Sequence, residues 1–335
     1  GKARATLSST PQEMDITLLL QERLLSVSHV KVSLAGLNGE GSLNLDLDTL
    51  LADGALTLSL EAPCPLSTWI NTNFQGRVES AIELSTVDGK QRLQPDVKIS
   101  DFHWGPLGLK AATLQGHVTG GRQELRTHLK ASLKCEVEGA SFGTVEVDQA
   151  NLHVDGSPFD FSTEVSAKGT HPFSYRAEST LHAIRSDGSW SFDIAALSGD
   201  AKGFPLALKE PTSFQMGPDL LTLAPTELTL GQWHLGAEGI LHSNGFENVH
   251  LSVTDLDVHH LPGDTFTNYH GLVTASLGLS GSRSDPRIAF ALTGTDLELP
   301  FLTSTPASPL TTAIEASFSQ QRLALEATIS GPHTG

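Results

Sequence analysis

Apolar residues fall on every second position in run after run along this chain. Leu43, Leu45 and Leu47 do so, as do Leu56, Leu58 and Leu60. The pattern returns in Val273, Ala275, Leu277 and Leu279, in Ile288, Phe290 and Leu292, and in Leu323, Leu325, Ala327 and Ile329. A period of two puts these side chains on one face of a β-strand and the intervening ones on the other. The intervening residues are polar or small: Asn44, Asp46 and Asp48 in the first run, Thr274, Ser276 and Ser280 in the third. The reading is all-β, a long sheet with one dry face and one wet face.

The punctuation between runs supports strands. Asn38-Gly39, Asp53-Gly54, Asp88-Gly89, Gly120-Gly121, Asp155-Gly156, Asp187-Gly188 and Asn244-Gly245 are read as hairpin turns, because Asx-Gly pairs supply the positive φ that tight turns need. Helix is scarce. Thr10-Pro11-Gln12-Glu13 reads as a capping box opening a short helix over 11–24, while Ile16-Thr17-Leu18 equally begins a strand; both readings stay open. Residues 65–74 and 261–269 lack alternation and are read as loops or single helical turns. A weak repeat also runs through the chain. Gly41, Gly76 and Gly271 are each followed by apolar residues two and six positions later, and 76–85 aligns with 271–280 without a gap. Stacked strand repeats produce such matches, and so does any meander of amphipathic strands.

Composition narrows the class. The 335 residues carry 39% hydrophobic side chains and no apolar run near the roughly 20 residues of a membrane-spanning helix. No linker or shift in composition divides the chain, so 1–335 reads as one continuous elongated β domain. It begins at Gly1 with no export signal, and the expectation is an internal fragment of a longer protein. A net charge of −17 disfavours nucleic acid and anionic membrane surfaces as partners, since both are gripped by clustered Lys and Arg. Cys64 and Cys135 are too few for a disulfide scaffold, and whether they pair is open.

The segment Gly271-Leu-Val-Thr-Ala-Ser-Leu-Gly-Leu-Ser-Gly-Ser-Arg-Ser-Asp-Pro-Arg-Ile-Ala-Phe290 resembles the recurring strand unit of the TamB family, translocation and assembly module subunits within the AsmA-like group. Leu208-Lys-Glu-Pro-Thr-Ser-Phe214, with Leu221, Leu223, Leu228, Leu230, Trp233 and Leu235 after it, is similar to a second pattern of that family. The resemblance spans about residues 30–330. It implies a periplasmic segment of a protein anchored in the inner membrane of a Gram-negative bacterium through an anchor helix that this fragment lacks. It further implies a twisted sheet curled into an open half-pipe, the β-taco groove, with an apolar concave face. A TamA-like outer-membrane assembly partner would be reached through parts outside the fragment.

Catalytic chemistry finds little footing. Gly139-Ala-Ser-Phe-Gly143 matches a nucleophile elbow, but Ser141 lies between two alternating segments, where a hairpin is expected in place of a strand-to-helix turn. Asp255, Asp257 and His259 would share one strand's polar face at about 6.6 Å spacing, too far apart to converge on a metal. Asp46, Asp48 and Asp53 invite a calcium reading that meets the same objection. Hence no catalytic residue, metal or cofactor is expected, and the chain is read as a non-enzyme.

The dry face is then the working surface. Leu43, Leu45, Leu47, Val273, Leu277, Leu279, Ile288, Phe290 and Leu292 are the expected groove-lining, lipid-binding residues. Some 25 strands about 4.8 Å apart would span roughly 120 Å. Carrying a two-chain phospholipid through water exposes about 30 methylenes, roughly 25 kcal/mol, which an apolar wall would largely remove. The expected function is a periplasmic bridge for phospholipid transport between inner and outer membranes, supporting outer-membrane assembly. Two alternatives use the same sheet: a chaperone-like scaffold for outer-membrane β-barrel or autotransporter assembly, working by strand addition, and a structural or adhesive β-solenoid.

Overall fold

The structure, a computed structural model, describes residues 2–5, 13–34, 36–61, 74–121, 129–260, 270–298, 310–320 and 322–331. It is all-β, one long antiparallel sheet, with no α-helix among the described residues. The chain divides into two compact units, Gly1–Thr180 and Leu181–Gly335.

In the first unit, β1 (Lys2–Ala5), β2 (Glu13–Gln21), β3 (Leu24–Leu34), β4 (Leu37–Asp46), β5 (Ala52–Glu61) and β6 (Phe74–Val87) pair in chain order. The meander goes on through β7 (Lys90–Trp104), β8 (Leu107–Gly120), β9 (Lys130–Phe142), β10 (Val145–Ser157) and β11 (Asp160–Gly169). The unit boundary falls inside β12 (Tyr175–Ser186). The second unit holds β13 (Ser189–Ala201), β14 (Phe204–Leu208), β15 (Thr212–Met216), β16 (Leu220–Leu230) and β17 (Trp233–His242). Then come β18 (Gly245–Asp257), β19 (His270–Ser282), β20 (Asp285–Glu298), β21 (Leu310–Ser319) and β22 (Arg322–Ser330). Here β14 and β15 share one slot between β13 and β16, each pairing with both.

The helix reading near 11–24 is overturned. Glu13–Gln21 is a strand, since Ile16, Leu18 and Leu20 face Val30, Val27 and Leu25 across the ladder. Alternation with a partner strand outweighs the capping signal, whose Thr10, Pro11 and Gln12 lie outside the described residues, as do Cys64 and most of the two non-alternating segments. Three of the expected turns are also displaced: Asn38-Gly39, Asp53-Gly54 and Asp155-Gly156 sit inside β4, β5 and β10. Gly54 shows why. A Cβ there would lie 2.2 Å from the Ser42 carbonyl oxygen, so the glycine admits a close backbone neighbour.

The repeat has a structural counterpart. Hairpins β6–β7 and β19–β20 share a register: Val78 pairs with Ile99 as Val273 pairs with Gly294, and both ladders slip one residue at the same place, Gln75/Arg77 and His270/Leu272. The slip is a β-bulge. Asp101 and Asp296 adopt left-handed backbone (φ 49° and 52°), and opposite them Gly76 and Gly271 have φ of 124° and 118°. A Cβ on Gly76 would sit 2.8 Å from the Asp101 carbonyl oxygen, and one on Gly271 would sit 2.7 Å from that of Asp296. Glycine is required there by both torsion and space.

Gly271→Ala is therefore expected to cost about 2 kcal/mol or more in chemical denaturation. Gly278→Ala, in the same strand with its nearest neighbour at 3.8 Å, should stay within about 0.5 kcal/mol.

Candidate functional site

Cross-strand register assembles single side chains into rows. In the first unit one row runs Leu58, Ser80, Val97, Leu114, Cys135, Leu152, Val165, and its neighbour runs Leu60, Val78, Ile99, Ala112, Val137, Ala150, Ala167. On the opposite face the rows are polar, as in Lys31, Glu40, Thr57, Ala81, Asp96, Gln115, Lys134, His153, Glu164. Among the described residues of β3–β11, no Asp, Glu, Lys or Arg falls on the apolar face. Charges pair on the other one instead, with Lys110 Nζ 3.3 Å from a Glu138 oxygen and Arg77 2.6 Å from Glu79.

The second unit repeats the scheme. Ala237, Leu251, Leu277, Phe290, Ala316 and Leu325 form one row, and Leu235, Val253, Ala275, Leu292, Ile314 and Ala327 the next. Strict alternation would break these rows at each bulge, yet they continue. Where Phe246 steps to Val249, Val253 to Leu256 and Gly294 to Leu297, the apolar spacing lengthens from two residues to three. Asn248, Asp255 and Asp296 take left-handed backbone inside those three steps (φ 47°, 58° and 52°), which returns the chain to the same face.

Within each unit, the close backbone contacts among the described residues run between hydrogen-bonded neighbours. Most side chains of the apolar face are half-buried, while Leu251 is 43% exposed and, in β22, Leu323 and Leu325 are 70% and 67% exposed. Among the described residues the buried apolar side chains are few, namely Ala112, Ala183, Trp233, Val249 and Leu297. The wet face carries the shallow depressions. One of about 420 Å³ lies among Lys31, Ser33, Glu40, Glu79, Asp96 and Lys98, and one of about 480 Å³ among His250, Ser276, Glu315 and Glu326.

The expected lining residues divide between the units. Leu43 faces Val27 and Gly54, and Leu45 faces Leu25 and Ala52, on the apolar face of the first. Leu47 lies past the end of β4, in a turn, 40% exposed. Its alternation with Leu45 ends because Asp46 folds the chain back: one carboxylate oxygen accepts the Asp48 and Thr49 amides at 2.8 and 3.0 Å. In the second unit Leu277 faces Phe290, Leu279 faces Ile288, Leu292 faces Ala275, and Val273 faces Leu256 and Gly294, all on the apolar side.

The structure resolves the other candidate chemistry into local roles. Ser141 is the penultimate residue of β9, and the Gly143-Thr144 turn leads from Phe142 into β10, a hairpin. Asp255, Asp257 and His259 do not share one strand face. β18 stops at Asp257, His259 sits in a 3-10 turn with its amide donating to Asp257, and its ring stacks on His270 at 4.8 Å. Among the described residues no group of three potential ligands converges for a metal. Asp53 accepts the Thr86 amide at 2.7 Å, and Asp48 pairs with Arg23 at 2.6 Å. Cys135 is a free thiol in the row between Leu114 and Leu152, and burial pushes its pKa up.

Sequence reading missed an aromatic cluster. Trp190 stacks on Phe192 (5.9 Å), Phe192 on Phe214 (4.5 Å) and, separately, Phe204 on Trp233 (5.6 Å). The alternation of Trp190 with Phe192 was the available signal. Only the pairing of β13 with β15 brings Phe214 opposite Phe192.

The fold thus defines an all-β protein built on a two-faced sheet. No family model matches the chain, and no curated protein matches it.

Thr163 is 6% exposed in the row of Leu133 and Val154, and its hydroxyl has no hydrogen-bond partner. Thr163→Val removes an unsatisfied group at constant shape, and should raise stability by about 1 kcal/mol in thermal or urea unfolding. At Asp46, backbone amides of Thr49 and Asp48 hold the carboxyl below its usual range. A depressed folded-state pKa stabilises above the unfolded value and is lost as pH falls through the folded one. Asp46→Ala should therefore lower Tm at pH 7 by a margin that closes as the pH is taken below about 4.

Proposed function

We propose that the apolar face shields lipid acyl chains from water, and that the chain is a periplasmic bridge segment for phospholipid transport between inner and outer membranes, supporting outer-membrane assembly. In this reading the sheet curls into an open half-pipe with the apolar face inside, and the protein is TamB-like. The same reading calls for an inner-membrane anchor and a TamA-like outer-membrane partner. The observation that carries the proposal is an apolar face free of acidic and nearly free of basic side chains, few of whose side chains are buried among the described residues. Five strands of about ten residues present on the order of 800 Å². That exceeds the roughly 300–600 Å² of the largest apolar patch on a typical monomer, and such patches mark interaction surfaces. Apolar contact is non-directional, so a tail could slide along rows of Leu, Val and Ala without one deep trap. No cofactor or catalytic group is needed.

A second reading draws on β22. It pairs with β21 among the described residues, and all nine of its residues are exposed. Such an edge suits strand addition, as a chaperone-like scaffold for β-barrel or autotransporter assembly would require.

A photo-crosslinker at Leu277, on the apolar face, should capture phospholipid from vesicles, and one at Ser276, on the opposite face, should not. Capture of extended polypeptide at β22 with no lipid at Leu277 would favour the scaffold. Phe290→Arg adds a second check. With the face open, the variant should fold with a loss of about 1 kcal/mol or less, because the guanidinium keeps its hydration. Lipid transfer by the longer protein carrying it should fall sharply. Normal transfer by a folded variant would sink the conduit reading.

A further inference from the structure

One margin of the second unit's apolar face differs from the rest. Register aligns Trp190, Met216, Leu221, Leu241 and Phe246 along it. Over this margin stands Arg185, its guanidinium carbon 5.9 Å from the centre of the Trp190 ring. Stacking then leads inward from Trp190 to Phe192 and Phe214. Arg185 and Met216 are exposed, and the three aromatic rings are half-buried. Asp193, between Trp190 and Ile194, faces Ser213 on the opposite side. By alternation with Leu181 and Ala183, Arg185 is the one Asp, Glu, Lys or Arg of the described strands in Leu181–Gly335 that falls on the apolar side, and Asp187 lies in the turn that follows it.

We infer that Arg185, Trp190, Phe192 and Phe214 form a selective site for acyl amphiphiles with an anionic headgroup, carboxylate or phosphate. The inference rests on the proposed acyl-shielding role and adds a substrate class to it. Its basis is charge complementarity. In a chain of net charge −17, a single cation at the edge of a face otherwise without charge attracts an anion where a tail can lie on the adjoining apolar surface. Guanidinium is suited to this position. Its planar fork binds a carboxylate or phosphate through two N–H donors while its face rests on indole. The anion and the tail would be satisfied by adjacent groups, guanidinium outside and aromatic rings inside. Aromatic side chains supply a rigid apolar platform at low entropic cost.

The test uses the whole chain and a fluorescent pair of probes, cis-parinaric acid and its uncharged methyl ester. Both should bind, the acid more tightly. Arg185→Gln should weaken the acid roughly tenfold and leave the ester unchanged, since only the charge-assisted hydrogen bonds are lost. Arg185→Lys should recover part of the difference, because ammonium keeps the charge without the fork. For the unaltered protein, the acid-to-ester preference should shrink as ionic strength rises, a readout that holds even if a variant folds poorly. Equal losses for acid and ester in Arg185→Gln, or a preference indifferent to salt, would overturn the inference and leave acyl shielding standing. Binding of neither probe by the unaltered protein would instead sink acyl shielding, and the site with it. Inorganic phosphate at millimolar concentration should not displace the acid. If it does, the site is one for a free anion and the inference fails.

Discussion

Parity along the hydrogen-bonded ladder is the constraint on which everything else in this protein rests. A strand turns successive side chains to opposite faces, so a slip of one residue between neighbours would carry a whole row from the dry side to the wet side. The rows are nevertheless continuous. From Leu58 to Val165 seven strands contribute to one row, and from Ala237 to Leu325 six do. Maintaining them is what makes the apolar face a surface in place of scattered patches.

The bulges show how this is done without regular alternation. In β7 the step from Ile99 to Phe102 skips Ser100 and Asp101. Matching skips follow from Leu109 to Ala112 in β8, Val137 to Ala140 in β9 and Val147 to Ala150 in β10. A break made in one strand is matched in the next, and the ladder among these four stays in one register throughout. Aspartate and asparagine tolerate left-handed backbone better than other non-glycine residues, which accounts for Asp101, Asn248, Asp255 and Asp296 at such places. Reuse of the Gly76–Asp101 arrangement at Gly271–Asp296, 25 positions apart in both, makes the weak sequence repeat a repeat of bulge geometry.

Separation of charge follows from the same parity. Half of each strand carries the Lys, Glu and Asp side chains, which pair at the surface, and exposed pairs of this kind add little stability. The other half is left to Leu, Val, Ala and a few aromatics with modest burial, so stability comes from many partly buried neighbours and not from a dense interior. Against that background Arg185 is conspicuous, as are Trp190, Phe192 and Phe214 beside it.

What the sequence determined by itself is local. Alternation in Leu43–Leu45, Val273–Leu279 and Ile288–Leu292 is enough to specify strands and to say which side chains share a face, because the pleat has a fixed period. It also placed turns at Asp88-Gly89 and Asp187-Gly188, where glycine has φ of 71° and 80°. It could not distinguish those from Asp53-Gly54 within a strand, since the same dipeptide serves a tight turn or a close backbone approach. It left the start of β2 undecided between helix and strand until Val27 and Val30 supplied a partner. Leu47 looked continuous with Leu45 because the amides that turn the chain at Asp46 are not visible in apolar spacing. Only the tertiary structure decided which strands are neighbours, and hence that Phe214 lies on Phe192 and that the skips in β7 to β10 coincide. Cross-strand register is a relation between residues far apart in the chain, and no local pattern encodes it.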